Sequence, residues 1–494
     1  MGAWGRYNQT LRRCVAFAIS ASLLVGIMGC GNGERHPSTV AGRREQVIDG
    51  FIRRTMSRLG LPSVSIAVVS EGHIEDEREI DRTPVGVQES GGGKRYEIGS
   101  VTKQFTAAAI LLLQQDGKLT LDEPVSRFFP DLTEAGRVTL RELLSHTAGY
   151  PDYYATLSSR AIFRDTTLDR ILSQYAKVPL DFRPGTRWAY SNTGYTILTR
   201  IIEKASGESY SGFLSSRIFR PLRMSSAIYE GRPDFGRQTV VGYERVLLGP
   251  LQRAEPEGRN WLNGAAGLAM TAHDLAIWNI SLLRGDLLSA ASKKAMFAIQ
   301  RASGRPTGYG LGFYVTHLGN ETFISHEGSV KGFTSESALI PQNNFAVVVL
   351  CNQGDTIAPL FLAEGIAGAY NLFPLSPRAP AGARPIEVVG STFNDPAALR
   401  DAREMLSQLR AGALNPTFLT VDEAAVATPQ RLSRVAAALH ALGAAKAFRG
   451  ATQSQRADLT LTSVTMLFKF NLAIGLSFAK TRDGKLADLS VNPR

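Results

Sequence analysis

Apolar and polar positions alternate along this chain in patterns that predict both strands and helices. Residues 62–69 alternate with a period of two, as a strand does, and residues 46–59 follow a helical period. Residues 105–113 form a continuous apolar run that ends at Asp116-Gly117, which predicts a buried helix. The middle, residues 120–300, is mainly helix and loop. Later strands are predicted near 309 and at 321–325, 336–340 and 345–350, followed by a helix at 360–369. Strands at both ends of a helical middle predict an α+β fold.

Two segments interrupt this pattern. The charged stretch 75–94 contains Gly91-Gly92-Gly93 and is predicted to be an exposed, loosely held excursion. A Pro/Ala/Arg-rich linker at 374–385 separates residues 44–373 from residues 386–494. That tail is predicted to be a small α+β domain, with helices at 396–409 and 428–442 and strands at 458–465, 472–479 and 483–491. It carries no catalytic constellation, so lid, targeting and partner-binding roles are all open and a structural role is the default.

The N-terminus has the features of an export signal. Basic residues up to Arg13 precede an apolar run at 14–28 that is too short to span a membrane comfortably, so residues 1–29 are predicted to be a signal peptide. Ile27-Met28-Gly29-Cys30 resembles a bacterial lipobox, in which Cys30 becomes a lipid anchor and residues 30–43 a tether. Met28 is atypical there, so cleavage without lipidation is the alternative. Because Gly31 is not Asp, we expect an exported protein of the periplasm or outer membrane, attached to the membrane through this lipid.

Composition excludes several other classes of protein. With 44% hydrophobic and 20% charged residues, the 494-residue chain is typical of globular proteins. The net charge of +11 is spread without a basic, aromatic-rich stripe, so no nucleic-acid partner is predicted. After removal of the signal and use of Cys30, only Cys351 is left, which excludes an internal disulfide. The seven histidines lack metal-ligand spacing, so neither a metal nor another cofactor is predicted.

Candidate chemistry begins at Ser100-Val101-Thr102-Lys103, which opens the buried helix. Residues three apart lie on one helix face, so the Lys103 amine can reach the Ser100 hydroxyl and take its proton. Burial and the positive field of the helix N-terminus both lower a lysine pKa, which makes a neutral amine available near pH 7. Taken alone, the tetrad also fits a capping serine followed by a solvated lysine.

Two further motifs favour the catalytic interpretation: Tyr190-Ser191-Asn192 and His326-Glu327-Gly328. Ser-x-x-Lys, then Tyr-x-Asn, then Lys/His-x-Gly, in that order, resembles the serine β-lactamase-related group: class C β-lactamases, DD-peptidases and family VIII esterases. The resemblance extends over roughly residues 44–372 through connecting segments, at 143–149, 267–278, 308–312 and 340–352.

The resemblance implies a β-lactamase/transpeptidase-like fold, an antiparallel sheet covered by helices beside a mostly helical region, with the catalytic cleft between them. It implies that Ser100 attacks a carbonyl and becomes acylated, while Lys103 and Tyr190 move protons. Asn192 would orient the lysine and hold a substrate amide, and Gly328 would leave room for the acyl chain. The backbone N–H groups of Ser100 and Ser329 would form the oxyanion hole.

His326 stands where most class C β-lactamases have a lysine that favours a substrate carboxylate. A histidine is mostly neutral at pH 7 and Glu327 adds a negative charge, so carboxylate-bearing β-lactams are expected to be poor substrates. The favoured interpretation is an exported serine hydrolase of small ester, amide or peptide substrates, acting as an esterase or D-amino-acid peptidase at the cell envelope. The alternatives are a true class C-type β-lactamase and a non-catalytic envelope binding or scaffold protein on the same fold.

Overall fold

The computed structural model describes a large part of the chain. The described residues are 40–83, 86–89, 93–154, 161–230, 235–245, 250–318, 321–354, 356–372, 396–414, 429–442, 444–456, 459–467, 473–481 and 485–493. The predicted signal peptide, Cys30 and the linker at 374–385 lie outside them. Two compact units are present: the larger spans residues 60–244 and 252–363, and the smaller contains the described parts of 40–59, 245–251 and 364–493.

Strands of the described chain are numbered in chain order. They are β1 Ser63–Ser70, β2 His73–Thr83, β3 Gly86–Glu89, β4 Tyr96–Glu97, β5 Ile228–Tyr229, β6 Tyr243–Arg245, β7 Leu251–Arg253, β8 Leu268–Met270, β9 Arg301–Ala302, β10 Arg305–Pro306, β11 Tyr314–Leu318, β12 Glu321–Val330, β13 Phe333–Ile340, β14 Phe345–Cys351, β15 Ala447–Arg456, β16 Leu459–Leu467, β17 Ala473–Thr481 and β18 Leu486–Pro493.

The α-helices are numbered in the same way. They are α1 Val40–Leu59, α2 Thr102–Gln115, α3 Leu140–Leu144, α4 Leu168–Tyr175, α5 Asn192–Ser206, α6 Tyr210–Leu214, α7 Phe235–Gln238, α8 Asn263–Ala266, α9 Ala272–Arg284, α10 Ala290–Phe297, α11 Ala358–Ala369, α12 Pro396–Arg410 and α13 Pro429–Leu442. No helix among the described residues is both long enough and apolar enough to cross a membrane.

A seven-stranded antiparallel sheet organises the larger unit, in the order β11-β12-β13-β14-β1-β2-β3. The first strand of the unit therefore pairs with its last, with Ile66 opposite Val349. All seven residues of β14 are buried, and in β1 the alternate serines are buried as well. Both faces of these central strands are covered, which explains why β14 reads as a continuous apolar run. The α+β prediction is confirmed.

Helix α2 runs through the core of the larger unit. Its first twelve residues are buried, and it ends where the sequence predicts, at Asp116 followed by Gly117 with a positive φ of 68°. The mostly helical middle of the chain packs around α2. In one of these contacts, Phe105 of α2 packs against Trp278 of α9, with ring centroids 4.6 Å apart. The N-terminal end of α2 is thereby buried and packed, and the candidate nucleophile lies in the turn immediately before it.

The predicted excursion at 75–94 is wrong at 75–83 and at 86–89, which form strands β2 and β3 of the main sheet. Residues 73–83 form strand β2, paired along its length with β1. Its sequence is charged because ion pairs take the place of apolar contacts: Lys94 Nζ lies 3.2 Å from the buried Glu79 carboxylate and 2.6 Å from that of Asp81. Gly91 and Gly92 lie outside the described residues.

The tail of the chain folds around its own core in the smaller unit. An antiparallel sheet in the order β15-β16-β17-β18 packs with α12 and α13 over Ala402, Leu409, Val435, Leu439 and Phe478. The predicted helices and three of the four strands are confirmed in the described residues. Strand β15 was not predicted, because its sequence AFRGATQSQR lacks apolar alternation and contains a register shift between Arg449 and Thr452. Helix α1, also in this unit, begins six residues before the predicted start at 46.

Candidate active site

Ser100 lies in a single 3₁₀ turn, Gly99–Val101, immediately before α2, and only 6% of it is exposed. Two glycines bring this turn into backbone contact with strand β12. Gly99 has a φ of 52°, and a Cβ on it would lie 2.6 Å from Ser329 N. A Cβ on Gly328 would lie 1.9 Å from Ile98 O, so no other residue fits there without displacing the strand. The two predicted oxyanion donors, Ser100 and Ser329, therefore belong to segments that touch.

Lys103 is fully buried and its Nζ has three close neighbours. It lies 2.8 Å from Asn192 Oδ1, 2.7 Å from the Ala265 carbonyl oxygen and 3.1 Å from Ser100 Oγ. The first two are oxygens that only accept, so a neutral amine donates both of its protons to them. Its lone pair is then directed at the Ser100 hydroxyl. Burial lowers the pKa of Lys103 to about 7, against smaller opposing effects of Asp152 and Glu327.

Tyr190 approaches the same serine from the segment that precedes α5. Its phenol donates a hydrogen bond of 2.8 Å to Ser100 Oγ. Burial is the main cause that raises the pKa of Tyr190 well above 10, with Tyr314 and Glu327 adding to it. The phenol is therefore protonated over the whole physiological range, and it reaches the serine as a donor.

Asn192 is the first residue of α5, and Asp152 fixes its side-chain amide. Asp152 Oδ1 accepts from the Asn192 backbone N–H at 3.1 Å and from Nδ2 at 3.0 Å. This arrangement orients Asn192 Oδ1 toward Lys103. The predicted role of Asn192 in orienting the lysine agrees with this geometry, whereas its predicted contact with a substrate amide stays a prediction.

His326 is buried on β12, and both of its ring nitrogens have protein partners. Nδ1 lies 2.6 Å from the Glu327 carbonyl oxygen, to which it donates, and Nε2 lies 2.9 Å from the Tyr309 hydroxyl. The ring is 6.2 Å from that of Tyr190, so His326 lies beside the acid–base pair. Because a carbonyl oxygen only accepts, Nδ1 carries a proton, and Nε2 can either accept from the Tyr309 hydroxyl or donate to it. Direct binding of substrate by His326 stays a prediction.

Glu327 faces away from His326 along the strand and is half buried. Directly opposite it on β13 lies Glu336, so this part of the sheet carries two carboxylates on one side. The Glu327 carboxylate is close enough to raise the pKa of both Lys103 and Tyr190.

Several residues of the site were not singled out by their sequence pattern. Asp152 and the Ala265 carbonyl complete the lysine environment, and His146 and Tyr309 pack behind Tyr190 and His326. His146 and Tyr309 do fall within the two segments 143–149 and 308–312. Cys351, by contrast, is fully buried on β14, where desolvation raises the pKa of its thiol, as expected for an inert apolar filler. Among the described residues, no three His, Cys, Asp or Glu side chains are arranged to hold a metal ion.

Comparison with known proteins identifies this arrangement. The Beta-lactamase family model matches residues 48–365, well over half of the chain. The chain belongs to the beta-lactamase family. The β-lactamase/transpeptidase-like fold is confirmed by the solved structures that resemble it, one of which is the D-amino acid amidase from Ochrobactrum anthropi SV3 complexed with D-phenylalanine. That amidase matches with a TM-score of 0.57 and 25% sequence identity, over 67% of this chain and 97% of its own.

Two curated proteins are also similar to this chain in sequence. Penicillin-binding protein 4* of Bacillus subtilis is 31% identical over 52% of this chain and 60% of its own length. Protein flp of Staphylococcus aureus is 25% identical over 64% of each chain. The match thus spans less than two thirds of these curated relatives.

Proposed function

We propose that this chain is a serine hydrolase that works through an acyl-enzyme on Ser100. The observation that carries the proposal is the meeting of two groups at Ser100 Oγ: the Lys103 amine at 3.1 Å and the Tyr190 phenol at 2.8 Å. A serine hydroxyl is a weak nucleophile until a neighbouring base takes its proton. A buried amine with a pKa of about 7 is such a base at neutral pH.

The reaction follows from this geometry. Lys103 accepts the Ser100 proton as Oγ attacks the substrate carbonyl carbon, and the resulting oxyanion lies near the N–H groups of Ser100 and Ser329. The Tyr190 phenol gives its proton to the leaving alkoxide or amine, and the Lys103 ammonium reprotonates it. A water molecule then attacks the acyl carbon and gives a proton to Lys103 and Tyr190. As the bond between the acyl carbon and Ser100 Oγ breaks, the same pair returns a proton to Oγ and the acid leaves.

The charges at β12 favour esters and amides that carry no carboxylate, including amides of D-amino acids, over carboxylate-bearing β-lactams. A histidine at 326 offers a carboxylate less positive charge than the lysine of class C β-lactamases, and the half-buried Glu327 repels one. The similarity to a D-amino acid amidase favours the amide branch of this proposal. Peptidase-like action on D-amino acids follows the same chemistry.

A second candidate is a true class C-type β-lactamase, which the matching family model supports. A non-catalytic scaffold is disfavoured, because it has no physical need for a buried lysine, and burial of a lysine is unfavourable to folding. Export belongs to the proposal as well: the signal-like N-terminus and Cys30 suit a lipoprotein of the periplasm or outer membrane.

Intact-mass analysis tests the proposal with two probes in parallel, a fluorophosphonate and benzylpenicillin. We expect the fluorophosphonate to add once to the wild-type protein and not to the Ser100→Ala variant. The matched control is Ser126→Ala, which changes a half-buried serine of the 3₁₀ turn Val125–Arg127 in the same unit. Labelling that persists in Ser100→Ala removes Ser100 as the nucleophile, and a rapidly hydrolysed penicilloyl adduct moves the assignment to a β-lactamase.

A further inference from the structure

His146 is a buried histidine that the proposed reaction does not use, and it is attached to the segment that carries Tyr190. Only 2% of its surface is exposed. Its backbone carbonyl oxygen accepts the N–H of Ala189 at 3.0 Å, and its Nδ1 accepts the N–H of Ser191 at 3.1 Å. One residue thus holds the peptide groups on both sides of Tyr190.

The imidazole ring also supports the phenol ring directly. The centroids of His146 and Tyr190 are 4.3 Å apart, with the planes inclined by 32°. Tyr195 and Tyr309 enclose the same imidazole at 5.2 and 4.8 Å. Tyr190 therefore cannot shift toward this side without moving a packed aromatic cluster.

The protonation of the ring follows from its contacts. Because Nδ1 accepts the Ser191 N–H, the ring proton is on Nε2. Burial and the positive charge of Lys103 lower the pKa of His146 well below 6.5, so the ring is neutral. Its only lone pair is occupied, which excludes His146 as a proton acceptor in this arrangement.

Two observations argue against a role as mere apolar filling. His146 adopts a φ of 61°, in the left-handed region where histidine is enriched among the non-glycine residues and apolar side chains are rare. Its Nε2 is buried and has no hydrogen-bond partner among the described residues, which is unfavourable and which a phenylalanine would avoid. What a phenylalanine lacks is the acceptor at Nδ1 for Ser191.

We infer that His146 is a positioning residue, which holds the Tyr190 hydroxyl at hydrogen-bond distance from Ser100 Oγ. The inference rests on the proposed function, since it gives Tyr190 its acid–base role. His146, from the segment 143–149, thus contributes to the proposed reaction through Tyr190 and does not touch the reacting atoms.

Two substitutions separate the acceptor from the ring. In His146→Asn, the side-chain oxygen replaces Nδ1 as acceptor and asparagine tolerates the left-handed backbone, but the ring is lost. In His146→Phe, the ring is kept and the acceptor is lost. We expect ester kcat to fall about tenfold in His146→Asn and about a hundredfold in His146→Phe with KM little changed, since small misplacements of catalytic groups have effects of this size. His273→Asn, an exposed histidine of the same unit, is the matched control.

The decisive measurement is a double-mutant cycle with Tyr190→Phe. If His146 acts through Tyr190, replacing it in the Tyr190→Phe background changes kcat by less than about threefold. Losses that multiply in the double variants overturn the inference, as does a His146→Phe variant with wild-type kcat. Crystal structures of both single variants give a readout independent of activity. A Tyr190 hydroxyl displaced from Ser100 supports positioning even if the wild-type protein hydrolyses no ester, and an undisplaced one contradicts it.

Discussion

Asp152 Oδ1 accepts two hydrogen bonds from Asn192, one from the backbone and one from the side-chain amide. Through Asn192 Oδ1 this carboxylate orients Lys103, and through its charge it favours the protonated lysine. Position and protonation of the proposed base are thus both influenced by one residue that does not touch the nucleophile.

Asp152→Asn is therefore expected to shift the acid limb of kcat/KM for a p-nitrophenyl ester to lower pH. Removing a negative charge makes protonation of the Lys103 amine less favourable, so the neutral base persists to more acidic pH. The maximal rate should also fall, because an asparagine accepts less strongly than a carboxylate. Asp165→Asn, at an exposed ion pair with Arg259, is the control. An unchanged acid limb would contradict this electrostatic coupling.

The pH profile of the wild-type enzyme follows from Lys103 itself. Activity requires the neutral amine, and the pKa of Lys103 is about 7, so kcat/KM should rise with pH and level off above about pH 8. No loss is expected up to pH 10, since burial holds the pKa of Tyr190 well above 10. Lys103→Arg keeps a permanent positive charge and should be inactive at every pH. A profile that falls with rising pH would show that the charged lysine is the active form.

Tyr190→Phe removes the hydroxyl that donates to Ser100 and leaves the ring packed against His146. We expect ester turnover to fall by about 10² or more, the scale of general acid–base catalysis. Tyr150→Phe, whose hydroxyl donates to the Thr133 carbonyl away from the serine, serves as the comparison. Near wild-type turnover in Tyr190→Phe would mean that Lys103 acts alone.

The charges at β12 are tested by the double change His326→Lys with Glu327→Thr, which restores the Lys-Thr-Gly common in class C β-lactamases. Removing a like charge and adding an opposite one should raise acylation by a cephalosporin relative to an ester. The expected gain is about tenfold to more than a hundredfold, or roughly 1–3 kcal/mol. The ratio of the two acylation rates is measured for both proteins. Efficient cephalosporin turnover by the unaltered protein would defeat the argument.

Membrane attachment is tested at Cys30, which lies outside the described residues. Expressed in a bacterial host that processes lipoproteins, the protein should partition into detergent, and Cys30→Ser should abolish that behaviour. Cys14→Ser, within the predicted signal, is the control. A mature N-terminus at another residue with no lipid mass would indicate an ordinary exported protein.

The parts of the site that could be predicted are those encoded in short segments. Ser100 and Lys103 are one helical turn apart, so local geometry alone brings them together. Tyr190 and Asn192 were assigned by resemblance to a family motif, because no local rule relates residue 190 to residue 100. Asp152 and the Ala265 carbonyl were not assigned, since a buried carboxylate and a backbone oxygen have no sequence signature of their own.

In the fold, too, the elements that could be predicted are those that the sequence of one segment determines. Apolar runs identified β14 and α2, because burial on all sides requires apolar residues. Strands β2 and β15 were missed for the converse reason. The charges of β2 are compensated by ion pairs with Lys94, which lies outside the strand. The polar residues of β15 form a bulged strand through pairing with β16. Neither the ion pairs nor the strand pairing can be predicted from the residues next to them in sequence.

The pairing of β1 with β14 places a constraint on how this protein acquires its structure. Val64 lies opposite Cys351, so the central sheet cannot close until almost the whole larger unit has been synthesised. Contacts so distant in sequence slow folding, because the chain loses the entropy of closing a long loop before the pairing of the two strands can stabilise it. A chain that crosses a membrane from its N-terminus must remain unfolded while it does so. The strand order of this protein, which withholds the native central sheet until β14 has been made, is compatible with the export that we propose.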